Sequence, residues 1–576
     1  MATTTRKVKD KTYQTFLLRR NYRDGGKVKH ETVGNISHLP PHIIELIRRS
    51  LRGETMSPVD KLFEIRRSLP HGHVAAVLGT IRQTALEEML ASRPSAERTL
   101  VTAMIAERII NPESKLAMAR RFAKETAASS LGELLGIEDS DEDDLYSAMD
   151  WLYERKEGIE TKLARKHLEE GALVLYDGSS SHYTGSSCPL ARFGKDAGKT
   201  GFPQINYGLL CNKDGCPVAV EVVDGNIGDA KALGRQLDKL RNRFNLRRVI
   251  IVGDRGSITD ARIDEEIKPA QGVDWITALR APAIKELAAQ GLIQPTFFDE
   301  RDMAEIKSPD FPGERLIVCR NPFLAEERTR KRQELLKATE RDLEKVATAT
   351  RRTRKRLKGK AEIGVAVGKV INHYKMAKHF KLTIAEDSFS YERKEQEIAA
   401  EAALDGIYVI RTSVEASVLG GEDVVGRYKD LALVERAFRC LKTVDLHVRP
   451  IYHWRKERVV AHIFLCMLAY YVEWHMRRAL APLLFDDEDK EYARKLRTSV
   501  VAPAVRSPRA EEKDNTRRTP QGYPVHSFQT LLQDLATIAK NRVNPCGQGK
   551  AEFFMLTKPT PLQKRVFELL KTPLSL

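Results

Sequence analysis

Two stretches of this sequence decide its fold: ALVLYD at residues 172–177 and RRVIIVGDRG at residues 247–256. Each contains a run of apolar and β-branched residues that reaches an aspartate, Asp177 in the first and Asp254 in the second. A continuously apolar run of this length predicts a strand that is covered on both faces, as in the centre of an α/β sheet. The two aspartates therefore fall at the ends of buried strands, where rigid backbone can hold ligands.

The segments around these two strands alternate in a recognisable order. Further strands are predicted at QINYGLLCN (204–212), PVAVEVVDG (217–225) and VDWITALR (273–280), and an amphipathic helix at 229–244 with Asp229 as its N-cap. The order β-β-β-α-β-α-β is that of an RNase H-like fold. In such a sheet the first and fourth strands are neighbours, so Asp177 and Asp254 are expected to stand together. The alternative for each aspartate is a loop cap or an ion pair, for example with Arg255.

A third acid lies on a helix predicted from about residue 423 to 442, within YKDLALVERAFRCLK (428–442). Tyr428, Glu435 and Lys442 are spaced seven residues apart, which is nearly two helical turns, so one face carries all three. An aromatic, an acid and a base then form one stripe. From spacing alone, an ordinary amphipathic helix with a solvated charged face is the simpler interpretation.

Three converging carboxylates suit phosphodiester cleavage with two metal ions. That reaction holds the ions roughly 3.5 to 4 Å apart, one to activate the attacking oxygen and one to stabilise the leaving oxygen. Carboxylate oxygens are hard ligands that suit Mg²⁺, with Mn²⁺ as a substitute. On this hypothesis Asp177, Asp254 and Glu435 are both metal ligands and catalytic residues.

These motifs, with the segment PLARFGKDAGKTGFPQINYGLLCNKDGCPVAVEVVDGNIGD (189–229) between them, resemble the transposases of bacterial insertion sequences. Within these, the chain resembles the group named for a Tyr-Arg-Glu-Lys signature. The resemblance implies that Asp177, Asp254 and Glu435 form the DDE metal-binding triad, and that Tyr428 and Lys442 contact the terminal DNA. The sequence departs from the signature at one position, where Leu431 replaces the arginine. Arg439, one turn beyond Glu435, is the best substitute for it.

The same resemblance implies an activity and its partners. A transposase of this kind binds the terminal inverted repeats of its element, cleaves the DNA at each end and joins the freed 3′-OH to target DNA. Its partner is double-stranded DNA, as transposon ends and as target, and holding two ends together implies a homodimer. Two alternatives remain: an RNase H-like nuclease without strand transfer, and a catalytically silent DNA-binding protein derived from a transposase.

The chain is long enough for several domains, and its patterns divide it into six segments. We expect a small β-rich module with a hairpin at Asp24-Gly25-Gly26, a helical domain, a core in two parts around an insertion, and a helical tail with helices near 526–540 and 561–571. The expected boundaries are 1–60, 61–168, 169–282, 283–404, 405–480 and 481–576. The insertion contains a predicted hairpin at 381–394 and a basic stretch at 325–360, which is either a DNA backbone track or a solvated helical hairpin.

Three further features have a functional and a structural interpretation, and the structural one is favoured for each. A helix at 113–125, capped by Asn111-Pro112-Glu113, is either a recognition helix for a major groove or a packing helix. His462 either faces the active site or is a hydrogen-bonded core histidine. Trp275 either stacks on an unstacked base or packs in the core.

Composition limits the partners and the compartment. The chain has 96 Lys and Arg against 79 Asp and Glu, a net charge of +17, which favours a polyanion such as nucleic acid. The amino terminus does not read as a secretory signal, and the longest apolar run, IFLCMLAYYV (463–472), is too short to span a membrane and predicts a buried helix. Seven cysteines without a C-x-x-C pair or histidines at zinc spacing predict a reduced, cytoplasmic protein without structural zinc.

Overall fold

The structure, a computed structural model, describes residues 1–9, 11–54, 63–194, 201–294, 298, 302–545 and 551–575. The chain divides into two compact units, and each is described by itself. The first unit comprises Met1–Leu69 and Ala539–Thr557, and the second comprises Pro70–Ile538 and Lys558–Leu576. All of the candidate site residues lie in the second unit.

The first unit is built from two small sheets and one helix. Its first sheet holds β1 (Ala2–Val8), β2 (Lys11–Asp24) and β3 (Lys27–Asn35), and α1 (Pro41–Leu51) follows. Gly25 and Gly26 turn the chain between β2 and β3 with φ angles of 55° and 80°, which confirms the predicted hairpin. The second sheet joins β4 (Phe63–Pro70) to β15 (Ala539–Pro545) and β16 (Phe553–Leu556).

This second sheet corrects two sequence predictions. Strand β4 lies in the range 61–168 that was predicted to be helical, and β15 begins within the predicted helix 526–540, whose helical part ends at Ala536. Each strand pairs with a partner from the opposite end of the chain. Because the partner supplies the hydrogen bonds, a local hydrophobic period does not reveal such a strand.

Eight strands form the main sheet of the second unit. Their bounds are β5 (Ala172–His182), β6 (Gln204–Asn212), β7 (Pro217–Asp224), β8 (Val249–Gly253), β9 (Val273–Ala278), β10 (Met303–Ile306), β11 (Arg315–Arg320) and β14 (Ile407–Thr412). Their order across the sheet is β10-β11-β14-β9-β8-β5-β6-β7. Strands β5, β8 and β9 run parallel, and the other neighbouring pairs are antiparallel. The five strands predicted between 172 and 280 are confirmed, and β5 lies beside β8 as expected.

Strands β10 and β11 come from the range 283–404, which the sequence assigns to an insertion. They extend the main sheet beyond β14, because β11 pairs with β14 along its whole length, from Arg315↔Thr412 to Arg320↔Ile407. Two strands of the expected insertion therefore belong to the main sheet, so the predicted boundary at residue 283 does not coincide with the end of the core. The pairing of β11 with β14 is distant in sequence, so this boundary is not visible locally.

The helices of the second unit surround this sheet. Those before it are α2 (Gly72–Gln83), α3 (Leu86–Leu90), α4 (Ala96–Ile110), α5 (Lys115–Phe122), α6 (Leu131–Leu135) and α7 (Glu142–His167). Those between its strands in sequence are α8 (Asp229–Asp238), α9 (Asp260–Arg262), α10 (Ala281–Ala289), α11 (Pro322–Arg351), α12 (Lys360–Tyr374) and α13 (Glu395–Ala402), and its last strand is followed by α14 (Gly421–Lys429) and α15 (Leu431–Arg439). Those after it are α16 (Lys456–Leu480), α17 (Lys490–Lys495), α18 (Pro508–Thr516), α19 (Phe528–Ala536) and α20 (Pro561–Leu570).

Helix α16 is the central helix of this unit. It packs against α7, α4, α2 and β7, and its residues from Val459 to Val472 are all buried. The segment Lys456–Leu483 is long and apolar enough to cross a membrane, but 89% of its most apolar window is buried inside the protein. The apolar run 463–472 thus forms the middle of a buried helix, as predicted.

The remainder of the range 283–404 forms a small hydrophobic core of its own. Helices α11 and α12 pack on the hairpin β12 (Phe380–Ile384) and β13 (Phe389–Arg393), which confirms the hairpin predicted at 381–394. Buried residues of this core come from all four elements: Leu336, Leu343, Ala347, Ile363, Val367, Ile371, Phe380 and Phe389. The chain between β11 and β14 therefore folds into a compact body around this core.

Two predicted helix starts are shifted. Helix α5 is capped by Ser114, whose hydroxyl accepts a hydrogen bond from the Ala117 amide, so the predicted cap at Asn111-Pro112-Glu113 is wrong. Helix α8 begins at Asp229, with Gly228 rather than Asp229 at the cap position. The side chain of Asp229 and residues 195–200 of the 189–229 segment lie outside the described residues.

Candidate active site

Asp177 and Asp254 are brought together by the pairing of two parallel strands. In the register of β5 and β8, Tyr176 faces Gly253, so each aspartate is the next residue along its strand. Neighbouring strands lie about 4.8 Å apart, and both aspartates are half-buried. The expectation that these two acids stand together agrees with this register. The expectation that Asp177 ends its strand is wrong, because β5 continues to His182 through its pairing with β6.

The turn after β8 fixes the orientation of Asp254. Its Oδ1 atom accepts hydrogen bonds from the backbone N–H groups of Gly256 at 3.0 Å and Ser257 at 2.7 Å. A Cβ atom at position 256 would lie 3.2 Å from Asp254 Oδ2, so glycine leaves room around the carboxylate. The loop-cap interpretation is thus correct for Oδ1, and it also presents the carboxylate in a fixed pose.

The pKa of Tyr428 is influenced by the charges of all three acids, including Glu435. Burial is the main cause that raises the pKa of Tyr428 to about 12. The negative charges of Asp254, Asp177 and Glu435 add to this rise, and the positive charge of Arg255 opposes it. Tyr428 therefore lies within electrostatic range of all three acids. At neutral pH this phenol is protonated and can donate a hydrogen bond.

The helix that carries Tyr428 and Glu435 is not continuous, which corrects the prediction of one helix from 423 to 442. Helix α14 ends at Lys429, α15 begins at Leu431, and a π-helical segment, Cys440–Val444, follows α15. Asp430 lies at the break and accepts a hydrogen bond from Arg494 Nη2 at 2.6 Å. Helix α14 packs against β8 and β9, whereas α15 packs against β5. Tyr428 and Glu435 therefore lie on two separate helices, α14 and α15, rather than on one face of a single helix.

The other predicted residues of this segment lie in different surroundings. Glu435 and Arg439 are exposed on α15, and Leu431 is buried with 8% exposure, so the position of the missing arginine faces the core. Lys442 lies in the π-helical segment and lines a cavity of about 500 Å³ with His182, Phe202, His447 and Arg449. Lys442 therefore lies among aromatic and basic side chains, whereas Tyr428 is influenced by the charges of the three acids.

A larger cavity of about 910 Å³ opens beside Tyr428, between the core and helix α11. Its lining is largely apolar and includes seven cations: Arg255, Lys285, Arg328, Lys331, Arg332, Lys375 and Lys378. Its acids, Glu401 and Asp405, pair with Lys378 and Arg332. Sequence reasoning missed Arg255 and Lys285 as site residues, although the position of Arg255 directly after Asp254 was an available signal.

The three features with structural interpretations are core features. His462 is buried, its Nε2 lies 2.9 Å from the Val448 carbonyl, and burial lowers its pKa well below the usual value. Trp275 is 5% exposed within β9. On α5, Lys115 is 4% exposed and Arg121 pairs with Glu107, so two of its three cations face inward. These observations favour the packing interpretations.

The donor set of Asp177, Asp254 and Glu435 fits a divalent ion with hard oxygen ligands. Two ions roughly 3.5 to 4 Å apart need carboxylates spread over about 8 Å, rather than one tight group. In the described part of the chain, the tight groups of ligand atoms, within 4.8 Å of one another, lie elsewhere: His167, Cys216 and His475, and Cys440, Asp445 and Glu473. The second of these groups is neutralised by Arg477, which pairs with Asp445 and Glu473.

Comparison with known proteins adds the family. Residues 170–472 match the model of the transposase DDE domain, and residues 1–57 match that of the IS1634 family transposase N-terminal domain. No curated protein matches the chain. A solved piggyBac transposase synaptic complex with hairpin DNA matches 80% of this chain and 76% of that chain, at 9% identity and a TM-score of 0.32, too low to support an argument. Since the DDE-domain match spans more than half of the 576 residues, the chain belongs to the DDE transposases of insertion sequences.

Proposed function

We propose that this transposase cleaves DNA at the ends of its element and joins the freed 3′-OH to target DNA, with Asp177, Asp254 and Glu435 as the catalytic, metal-binding triad. The observation that carries the proposal is the register that sets Asp177, within β5, beside Asp254, directly after β8, with α14 packed on β8 and the Glu435 helix α15 packed on β5. The three acids come from three separate elements, β5, the turn after β8, and α15. Such convergence is expected of a site and not of three independent surface acids.

We further propose that the core is RNase H-like. Its first five strands stand in the order β7-β6-β5-β8-β9, with β6 antiparallel to its neighbours and β5, β8 and β9 parallel. In an RNase H-like sheet the acid-bearing strands are the central pair, which matches β5 and β8. The range 283–404 then separates the fifth strand from the helix that carries the third acid.

Mg²⁺ is the ion that this donor set suits, and Mn²⁺ can replace it. When bound, such ions activate the attacking oxygen and stabilise the leaving oxygen of an in-line displacement. The residues of this chain would hold the ions and orient the ligands: the backbone amides of Gly256 and Ser257 donate hydrogen bonds that fix the orientation of Asp254. Tyr428, protonated at neutral pH, donates a hydrogen bond to a phosphate oxygen of the terminal DNA. Lys442 and Arg439 supply positive charge along the same strand.

Double-stranded DNA, as element end and as target, is the proposed partner. The formal charge of +17 favours a polyanion, and the lining of the cavity of about 910 Å³ beside Tyr428 includes seven cations. Two ends must be held at once for joining, so we propose a homodimer in the complex with DNA. The exposed Arg439 on α15 and the half-buried Lys442 in the π-helical segment after it are the proposed contacts to the end.

The test uses the purified full-length protein and a labelled duplex that carries the element's end sequence. We expect nicking in Mg²⁺ or Mn²⁺ and none in EDTA, and we expect a longer, joined product when target DNA is added. Nicking without joining would favour the nuclease alternative. Binding of the duplex without any nicking, at any metal concentration, would favour the silent DNA-binding alternative.

A further inference from the structure

A second group of possible ligands lies away from the carboxylate site. His167 is the last residue of α7, Cys216 lies between β6 and β7, and His475 is on α16. One ligand atom from each lies within 4.8 Å of the others. The three residues are far apart in sequence, and they meet where α7 and α16 cross the outer strand of the main sheet.

The immediate surroundings leave donor atoms directed at this point. Cys216 is fully buried. The Nε2 atom of His475 is buried and makes no hydrogen bond among the described residues, an uncommon state for a polar atom in a folded protein. His167 Nε2 lies 3.0 Å from the Tyr471 hydroxyl, which orients its ring and leaves Nδ1 for another contact. Burial lowers the pKa of both histidines to about 4, so they are neutral at pH 7.

We propose that His167, Cys216 and His475 bind a zinc ion. One thiolate and two imidazoles are the ligands that zinc prefers, whereas Mg²⁺ prefers oxygen, so this site selects a different ion from the carboxylate site. Bond lengths of about 2.0 to 2.3 Å place tetrahedral ligand atoms roughly 3.3 to 3.8 Å apart, so side-chain movements of about 1 Å close the site. A water molecule or the Tyr471 hydroxyl completes the fourth position.

The chemistry balances without a further reactant. The Cys216 thiol loses its proton to solvent as the sulfur–zinc bond forms, and no group is oxidised. Burial and the charge of Asp214 raise the pKa of the Cys216 thiol, and the positive charges of Lys166 and Arg478 offset this rise only in part, so the ion must displace the proton. The bound ion would link the end of α7 and the end of α16 to the β6–β7 turn. It therefore has a structural role and does not depend on the proposed DNA chemistry.

The test measures zinc binding by the untagged full-length protein after treatment with EDTA. We expect one equivalent of zinc per chain, a raised melting temperature on zinc addition, and, with Co²⁺ in its place, the charge-transfer absorption of a thiolate–cobalt bond. Cys216→Ser and His475→Gln should weaken zinc binding by at least about 100-fold and abolish the thiolate–cobalt band.

Two controls separate this site from others. Cys319→Ser replaces another fully buried cysteine, on β11, and should leave zinc affinity and the cobalt band unchanged. Asp177→Asn alters the carboxylate site and should also leave both unchanged. The proposal is overturned if the folded parent binds no zinc, or if Cys216→Ser binds it as tightly as Cys319→Ser does. The three residues would then form a buried histidine and thiol cluster without an ion.

Discussion

Carboxylates occupy two contrasting settings in this protein. Glu160 on α7 is fully buried and is surrounded by cations, with Lys156 Nζ at 2.6 Å, Lys239 Nζ at 3.6 Å and the Arg243 guanidinium in contact. Asp254, at the end of β8, is half-buried and receives its hydrogen bonds from backbone amides. Glu160 and Asp254 are both carboxylates, and they differ in the charged groups that surround them.

The electrostatic consequences are opposite. Burial is the largest influence on Glu160 and raises its pKa, but Lys156, Lys239 and Arg243 together outweigh it and lower the pKa to about 2. Beside β5 and β8, burial raises the pKa of Tyr428, and the negative charges of Asp177, Asp254 and Glu435 add to this rise. A buried acid that is neutralised by cations of its own chain has a structural role. Acids gathered from three elements leave negative charge for an ion from solution to neutralise.

The sharpest way to break this comparison is to neutralise the three acids of the proposed triad one at a time. Asp177→Asn, Asp254→Asn and Glu435→Gln should each lower Mg²⁺-dependent nicking by at least about 1000-fold, because each removes a metal ligand. DNA affinity should stay within about twofold, since phosphate contacts to Lys and Arg provide most of it. Single-turnover nicking and gel-shift assays measure the two effects.

Asp310→Asn is the matched control, because Asp310 is an exposed aspartate of the range 283–404. It should nick as the parent does. Normal nicking by any of the three acid variants would remove that residue from the site. Melting temperatures should not fall in these variants, because each substitution relieves repulsion between like charges.

Neutralising the carboxylate of Glu160 should instead lower the stability of the fold. Glu160→Gln leaves Lys156, Lys239 and Arg243 without their shared carboxylate, and it should lower the free energy of unfolding by about 3 kcal/mol. Glu157→Gln is the control: Glu157 is on the same helix and contacts Arg243 at 3.4 Å, but its side chain is 79% exposed. Its effect should be within about 0.5 kcal/mol. Equal effects of the two substitutions in urea unfolding would contradict the assignment.

The pH dependence follows from the direction of the Glu160 pKa shift. The folded pKa, about 2, lies below the ordinary value of 4.5, so this stabilisation is fully present above about pH 4.5 and is lost as the pH falls toward 2. The stability difference between the parent and Glu160→Gln should therefore shrink from pH 6 to pH 3. A difference that grows on acidification would show that Glu160 is not held ionised.

Sequence patterns predicted the centre of this architecture well because its signals are local. The runs 172–177 and 247–256 are apolar over the length of a strand, and a parallel pair that is buried on both faces requires such runs. The strands β5 and β8 were therefore predictable, as was the register that places Asp177 beside Asp254. The place of β10 and β11 in this sheet was not predictable, since the hairpin that they form joins the sheet only through the pairing of β11 with β14, which is remote in sequence.

Long-range contacts explain what the spacing of Tyr428, Glu435 and Lys442 did not reveal. The break at Asp430 is stabilised by Arg494, 64 residues away, and Lys429 Nζ donates to the carbonyls of Val500 and Val501. A seven-residue spacing is the same in a broken and an unbroken helix. The group of His167, Cys216 and His475 is likewise assembled by packing, so a search for motif spacing does not find it.

The cation next to the acids of the proposed triad offers a further test, with a smaller expected effect. Leu431 stands where the signature has arginine, and it is buried, so another residue must supply that charge. Arg439 is the substitute predicted from sequence, and Arg255 is the rival, because its charge acts on Tyr428. Removing the arginine that contacts the scissile phosphate should slow cleavage by about 100-fold, equal to about 2.7 kcal/mol.

Arg436→Ala is the matched control for Arg439→Ala and Arg255→Ala. Arg436 is on the same helix as Arg439, but its guanidinium donates to Asp486 at 2.6 Å and is thereby held away from DNA. Single-turnover cleavage of pre-bound end DNA should separate the three. If Arg439→Ala cleaves within about twofold of the parent and Arg255→Ala does not, the sequence-based substitute is wrong and Arg255 has the role.

The smallest expected effect concerns the basic stretch 325–360, where paired and unpaired cations can be compared within one segment. Arg330, Arg341 and Lys345 lie near acids of α11, with Arg330–Glu334 at 3.7 Å and Lys345–Asp342 at 2.7 Å, whereas Arg352, Arg354 and Lys355 follow the helix and are exposed. If the second group contacts phosphate, its replacement by Gln should reduce the slope of log K against log salt by up to about 2.7, at 0.9 for each contact. Replacing the first group by Gln should leave the slope unchanged, because those charges are already compensated by neighbouring acids. Equal slopes for both triple variants and the parent would instead identify the whole stretch as a solvated helical face.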